Sequence, residues 1–384
     1  MNKKLIALAL AALPAAAMAD VTIYGQIRGG YEYNKTYSST LSKDANGKPQ
    51  GSSEINDWTS RLGFKGSESL GNGLKAIWQV ESRLKIDGTG DPTKQEGNLG
   101  GRDTFIGLAG DGWGQVRLGR LSNYPNMDME QVDPGYYSDQ SVGGLGMFTR
   151  LDGRVNNSIR YDSPNWSGFS YMVLWGVDEA RAKAADGSRT NNQLINIGLS
   201  YENSGYFGKY SFVNMGDSNK VGSGLKDWHR LEAGYNANNI YAAFGYQQVR
   251  GYLGQATTTV GGVTTVTGFA DKGGVAYNLN ALNAAFASNA ATFDSSQLVK
   301  TKELALTGGY TFGSFTPYLS YVKGYDVSIG GSTLSKSGYD QFVLGLDYAL
   351  SKRTDVYTSY GHVNWKADGL TSESSFGLGL IHRF

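Results

Sequence analysis

The 384-residue chain contains no cysteine, seven prolines and three histidines. The missing cysteine rules out a small exported scaffold stapled by disulfides, so another device has to stabilise it. Few prolines and no single-residue runs make disorder a poor description of the chain. Beyond residue 19 no apolar run reaches 12 residues, which excludes a helix crossing a membrane. Charge is balanced, with 35 basic against 34 acidic side chains, so no nucleic-acid footprint exists.

The first 19 residues read as an address. Lys3 and Lys4 form a positive start, Leu5 to Leu13 an apolar stretch, and Ala17-Met18-Ala19 a small-residue cleavage pattern. A membrane-anchoring helix needs about 20 apolar residues. This stretch is shorter and is interrupted by Pro14. Residues 1–19 are therefore expected to be a signal peptide, with the mature chain, residues 20–384, beginning at Asp20 as one domain. Losing Lys3 and Lys4 leaves 33 basic against 34 acidic groups, a net charge near −1.

What the chain does have is 54 glycines and 25 tyrosines, a mixture suited to tightly turned strands with aromatic girdles. Val21, Ile23, Gly25, Ile27, Gly29, Tyr31 and Tyr33 alternate with Thr22, Tyr24, Gln26, Arg28, Gly30 and Glu32, and the first set carries no charge. Leu74, Ala76, Trp78 and Val80 alternate in the same way with Lys75, Gln79, Glu81 and Arg83. A soluble sandwich would cover the apolar face with a second sheet, but charge recurs on the other face in segment after segment, leaving too little for a dry core. A transmembrane barrel dilutes its apolar signal in this way and escapes a hydropathy scan.

Sixteen alternating segments can be drawn, at 20–33, 57–66, 73–87, 101–109, 114–121, 155–163, 167–178, 193–203, 206–215, 226–236, 239–250, 300–311, 314–326, 338–350, 353–364 and 372–384. An even count suits a bacterial single-chain barrel, so the expected fold is all-β, a sixteen-stranded antiparallel transmembrane barrel. Short turns, such as 67–72, 164–166, 204–205 and 237–238, alternate with longer polar loops, of which 122–154 and 251–299 are the longest. Loops past about 15 residues are usually functional. The chain closes on an alternating strand ending in Phe384, which resembles the signal read by outer-membrane assembly machinery.

Several segments resemble the general porins of Neisseria and related β-proteobacteria. The matching stretches are DVTIYGQIRGG from Asp20, SRLGFKGSESLGNGLKAIWQVE from Ser60, TFIGLAGDGWGQVRLGR from Thr104, SIRYDSPNWSGFSY from Ser158, YDQFVLGLDYALSKRT from Tyr339 and the closing GLGLIHRF. The likeness covers nearly the whole mature chain and is weakest in loops 122–154 and 251–299. It implies an outer-membrane homotrimer, seated among outer-membrane lipids, whose third external loop folds into the lumen. Small hydrophilic solutes and ions would diffuse through it without a cofactor.

Selectivity in such a pore depends on charges at mid-height of the lumen face. Strand parity alone puts Arg28, Arg61 and Arg83 there, with Lys65, Lys75, Arg117 and Arg160 inward but nearer the periplasmic rim. The resemblance implies that Arg28, Arg61, Arg83, Arg102 and Arg160 line the channel, although parity leaves Arg102 ambiguous. Facing them on the infolded loop would be Asp128, Glu130, Asp133 and Asp139. The plainer alternative is that the arginines solvate a polar wall or pair with inward acids such as Glu81, Asp162 and Glu32. Basic wall against acidic loop would set up a transverse field and a weak anion preference.

Enzyme readings find no support. His229, His362 and His382 converge with no Ser and Asp, no metal-binding spacing occurs, and Gly88 to Lys94 lacks the Gly-Lys-Ser/Thr end of a phosphate loop. A solute-specific porin would show an aromatic slide or a one-sign ladder, and a surface anchor or adhesin would need no constricting loop. A diffusion pore is the expectation over both. A charge at Leu344 should harm assembly, whereas one at Gln341, on the opposite face, is expected to be tolerated.

Overall fold

The structure, a computed structural model, describes residues 21–384 except 37–43, 45, 47–49, 89–98, 130, 137–141, 180–182, 184–186, 218–223, 261–262, 272, 278 and 289–295, with backbone alone at 258, 260, 263–267, 286 and 288. The expected leader and its cleavage point lie outside the described residues.

In chain order the strands are β1 (Thr22–Lys35), β2 (Ser52–Asp57), β3 (Arg61–Gly71), β4 (Leu74–Arg83), β5 (Thr104–Gly110), β6 (Gly114–Ser122), β7 (Arg154–Asp162) and β8 (Phe169–Gly176). There follow β9 (Leu194–Asn203), β10 (Tyr206–Met215), β11 (Leu225–Ala237), β12 (Ile240–Gly251), β13 (Gly254–Val260), β14 (Val263–Ala270) and β15 (Val299–Tyr310). The last six are β16 (Phe315–Gly324), β17 (Ser328–Ile329), β18 (Ser332–Thr333), β19 (Tyr339–Ala349), β20 (Thr354–Trp365) and β21 (Glu373–Arg383). Helix α1 (Tyr124–Asp128) lies between β6 and β7, and α2 (Leu279–Ser288) between β14 and β15.

β2 and β3 run consecutively along β1, and the hairpins β13–β14 and β17–β18 belong to connecting loops. The remaining wall is a sixteen-stranded antiparallel barrel. β1 closes it against β21, from Gln26↔Arg383 to Lys35↔Ser374. Closure satisfies every ladder from within, the condition for spanning hydrocarbon with strands.

Short connections lie at one end. Ser204-Gly205 and Asn238-Asn239 are two-residue turns with positive φ throughout, the twist that suits tight hairpins. The turn expected at 67–72 is tighter than that: β3 runs on to Gly71 and the chain reverses at Asn72-Gly73. Loop 34–56 is also shorter than expected, because β2 occupies its end. Glu54 pairs with Glu32 and Arg61 with Gln26, so the alternation changes phase in between. The cause is a bulge at Trp58-Thr59-Ser60, where Thr59 adopts a φ of 71° and Ser60 takes the backbone N–H of Arg28 on its hydroxyl at 2.8 Å.

Exposure follows parity. Phe342 and Leu344 are 47% and 59% exposed, while Gln341 and Val343 are buried between them. The large apolar side chains on the exposed parity form the lipid face. Inside, an apolar cluster joins Val132, Leu145 and Phe148 of the β6–β7 connection, Val275, Tyr277 and Leu282 of the β12–β15 connection, and wall residues Val249, Val322 and Val343. The wall supplies part of this cluster, and the two longest loops add the rest that the alternating pattern lacks. Leu344→Arg is expected to impair folding, since a cation at the bilayer midplane costs about 2–4 kcal/mol. Leu344→Ala should fold normally, and heat-modifiable gel mobility of the refolded proteins separates the two outcomes.

Candidate functional site

Arg61 and Arg83 are direct cross-strand partners on β3 and β4. Like charges so placed repel unless neutralised. Neutralisation comes from behind, with Arg61 Nε 3.9 Å from Glu81 and Arg83 Nε 3.4 Å from Asp57. Arg102 precedes β5, which explains its ambiguous parity. Its backbone N–H donates to the Glu81 carbonyl at 3.0 Å, and its guanidinium pairs with the same carboxylate. Tyr24 Oη also donates to Glu81, at 3.0 Å. Arg154, at the start of β7, pairs with Asp103 at 2.5 Å, and Asp103 accepts from Ser122 through both backbone and hydroxyl.

Lower on the wall, Arg160 is buried and holds Asp162 at 2.6 Å and Asp128 at 2.7 Å, while Arg117 also holds Asp162 at 2.6 Å. Pairing with Glu81 and Asp162 is thus the condition of Arg61, Arg102, Arg117 and Arg160. Asp128 sits directly on Arg160. Asp133 braces its own loop, accepting from Leu145 N at 3.0 Å and Gly135 N at 3.4 Å. Glu130 and Asp139 lie outside the described residues.

The segment 123–153 leaves β6 and reaches strands far from its ends. Asn123 caps α1 by accepting from Asn126 N at 3.0 Å. Glu232 on β11 then accepts from Gln131 N and Val132 N, and Thr307 on β15 donates to the Val132 carbonyl at 2.5 Å. Gln341 on β19 donates to the carbonyls of Val142 and Gly144 at 3.0 and 2.7 Å. That contact overturns the expectation that a charge at Gln341 is harmless: its inward parity is as read, but it is a buried anchor. Arg230 on β11, fully buried, donates to the Phe148 carbonyl at 3.0 Å and pairs with Asp152 at 2.7 Å. Arg150 pairs with Glu303 on β15 and donates to the Gly274 carbonyl at 2.8 Å, tying this segment to the β12–β15 connection.

Tyr136 docks where the barrel closes. Its ring lies 5.8 Å from the Arg28 guanidinium and 5.2 Å from that of Arg383, beside Tyr357 at 5.1 Å. Its hydroxyl donates to Asp355 at 3.1 Å and accepts from Arg383 at 2.7 Å. Burial raises the phenol above its ordinary value against the pull of Arg383, so it remains a proton donor. Arg28 is buried under these rings, and its guanidinium donates to Thr59 Oγ1 at 3.4 Å. Sequence reasoning missed Tyr136 and Arg154 because neither stands in a strand interior with a parity to read. Arg230, Glu232 and Glu303 were legible as inward positions of their strands, without any sign that a loop would seat on them.

A closed barrel with a lipid face outside and ionised groups inside is an outer-membrane channel. The chain belongs to the Gram-negative porin family, whose model matches residues 5–368. It is 36% identical over 406 aligned positions to major outer membrane protein P.IB of Neisseria sicca, and 33% over 421 to P.IA of Neisseria meningitidis, with each chain covered completely. Among solved structures, an anion-selective porin from Comamonas acidovorans superimposes with a TM-score of 0.66 at 20% identity, covering 95% of this chain and all of that one. Salmonella typhi OmpF in complex with daunomycin gives 0.59 at 16%, covering 95% and 98%. These set the fold. Family membership sets the rest: a non-enzymatic channel of the outer membrane.

Arg230→Ala would strand Asp152 and Glu232 in a buried site, and removing one partner of a buried pair costs about 3–5 kcal/mol. The thermal midpoint in detergent micelles, followed by tryptophan fluorescence, should fall accordingly. An unchanged midpoint would mean that this anchor contributes nothing to the fold.

Proposed function

We propose that this porin is a diffusion channel for small hydrophilic solutes and ions, narrowed by segment 123–153 and weakly selective for anions. The observation that carries the selectivity is the layering of the ion pairs. Side-chain exposures are 35% for Arg61 against 10% for Glu81, and 19% for Arg83 against none for Asp57. Arg102 and Arg154 also stand further out than their carboxylates. Water on this wall therefore meets guanidinium first, although the pairs are nearly neutral.

At β6 and β7 the order reverses, with Asp128 at 32% exposure over Arg160 at 2%. A solute passing between the two regions would meet a lateral field, which orients dipoles and disfavours apolar molecules. The more numerous outward guanidiniums support the anion preference. Residues 1–19 act as the export signal on this reading, tested by N-terminal sequencing for a start at Asp20. Family membership supports a homotrimer, and sedimentation of the detergent-solubilised protein at monomer mass would remove that part of the proposal.

Arg61→Ala together with Arg83→Ala uncovers Glu81 and Asp57, so reversal potential in a salt gradient should move toward cation preference and conductance should rise slightly. The shift should be larger at 0.1 M salt, where the Debye length is about 10 Å, than at 1 M, where it is about 3 Å. A reversal potential equal to that of the parent would show that these arginines do not face the ion path.

A further inference from the structure

The connection between β12 and β15 also enters the barrel. On the lumen face these strands set Gln247 opposite Glu303 and Val249 opposite Thr301. Inward positions of an open channel meet water, yet all four side chains are fully buried. Residues 147–152, the return leg of the infolded segment, provide part of the cover. Gln247 donates to the Phe148 carbonyl at 2.9 Å, and Arg150 donates to Thr301 Oγ1 at 3.2 Å. The rest comes from Asp271 and residues 273–277.

Asp271 shapes this tip. Its carboxylate accepts from the backbone N–H groups of Gly273, Val275 and Ala276 at 3.1, 3.2 and 2.9 Å, curling the chain around it. The Val275 carbonyl then accepts from Thr301 at 3.0 Å. Tyr277 sets its ring edge-on to Tyr339 at 5.0 Å and donates its hydroxyl to the Tyr325 carbonyl. On the opposite side the tip presses against the return leg. Gly274 has a φ of 72°, its carbonyl holds Arg150 at 2.8 Å, and a Cβ there would come within 2.7 Å of the Leu151 side chain. Helix α2 backs the tip, with Asn283 bonded to both backbone groups of Phe269 at 2.7 and 3.3 Å and with Ala281, Leu282 and Ala285 buried.

The tip therefore lies between the wall and the return leg. Thr301 stands two residues from the Val299 end of β15, the end that carries the long connection, so the filled space is in the outer mouth. A straight leg crossing a round lumen leaves a gap against the curved wall. If water filled that gap, it would conduct in parallel with the main passage, and the wider of the two paths would set the size limit.

We infer that Asp271 and residues 273–277 form a seal behind the infolded segment, closing the second path so that every solute must pass the arginine wall. This makes the β12–β15 connection a determinant of size selection, with Tyr277 and Val275 as the filling and Asp271 as the residue that shapes it. The inference rests on the narrowing by segment 123–153. Arg61 keeps 35% side-chain exposure on the open side, whereas Glu303 behind the leg has none.

The test exploits the lack of cysteine in the chain. Thr301→Cys places a thiol of similar size behind the seal of the full-length protein, and Ser332→Cys, on the exposed hairpin β17–β18, serves as the reference. A charged, water-soluble methanethiosulfonate should label Thr301→Cys on the order of a hundredfold more slowly, because a buried thiol reacts only through local opening. Replacing 254–296 by a short Gly-Ser linker should bring its labelling to the reference rate, raise single-channel conductance by roughly half, and admit larger oligosaccharides in liposome swelling. Labelling at the reference rate in the full-length chain would overturn the seal, and so would unchanged conductance and sugar cut-off in a folded shortened chain. The full-length measurement decides the matter even where the shortened chain does not fold. A failed seal would leave the reversal potential and its dependence on Arg61 and Arg83 as they are, so the two readings fail separately.

Discussion

Everything in this molecule depends on the last strand finding the first. In hydrocarbon an unpaired peptide group costs several kcal/mol, so a sheet of this size must have no edge. β21 meets β1 over ten register pairs, and Gly25 and Phe384 exchange both backbone hydrogen bonds at 3.1 Å. A Cβ on Gly25 would come within 2.5 Å of the Arg61 carbonyl and 2.6 Å of the Phe384 ring, so the end of the seam requires glycine. With the edges gone, the outward positions are free to be apolar and the inward positions free to be charged.

That freedom is used in two ways. Near β3 to β5 the inward ions are layered, carboxylates beneath and guanidiniums toward water. On β11 and β15 they are buried as anchors, where Glu232, Arg230 and Glu303 serve the backbone and side chains of segment 123–153. Burying charge is costly unless each group is paired and hydrogen-bonded, and Arg230 meets that condition with Asp152, Gln247 and the Phe148 carbonyl.

The wall was legible because period two is unambiguous: the segment at 206–215 coincides with β10 at both ends, and Leu344 and Gln341 fall on the faces that alternation assigns. Legibility ended where alternation broke. At Trp58 to Ser60 one extra residue reverses the phase, and β2 vanished into an expected loop. Within 251–299, hairpin β13–β14 and helix α2 were not foreseen, since their apolar residues pack against other loops and follow no lipid boundary. For the site, parity placed Arg61 and Arg83 and named Glu81 and Asp162 as possible partners. It could not say that Asp128 and Asp133 would be spent on Arg160 and on the loop itself, because contacts between distant segments leave no period in the chain.

Tyr136 touches Arg28 from the first strand and Arg383 from the last, the latter 247 positions away in sequence. Such a contact has a place in time as well as in space. Its two halves come together only when the terminal strands zip, so the tip of the segment cannot reach its final seat on an open sheet. The seat of Tyr136 is therefore complete only in the closed barrel, where the first and last strands lie side by side.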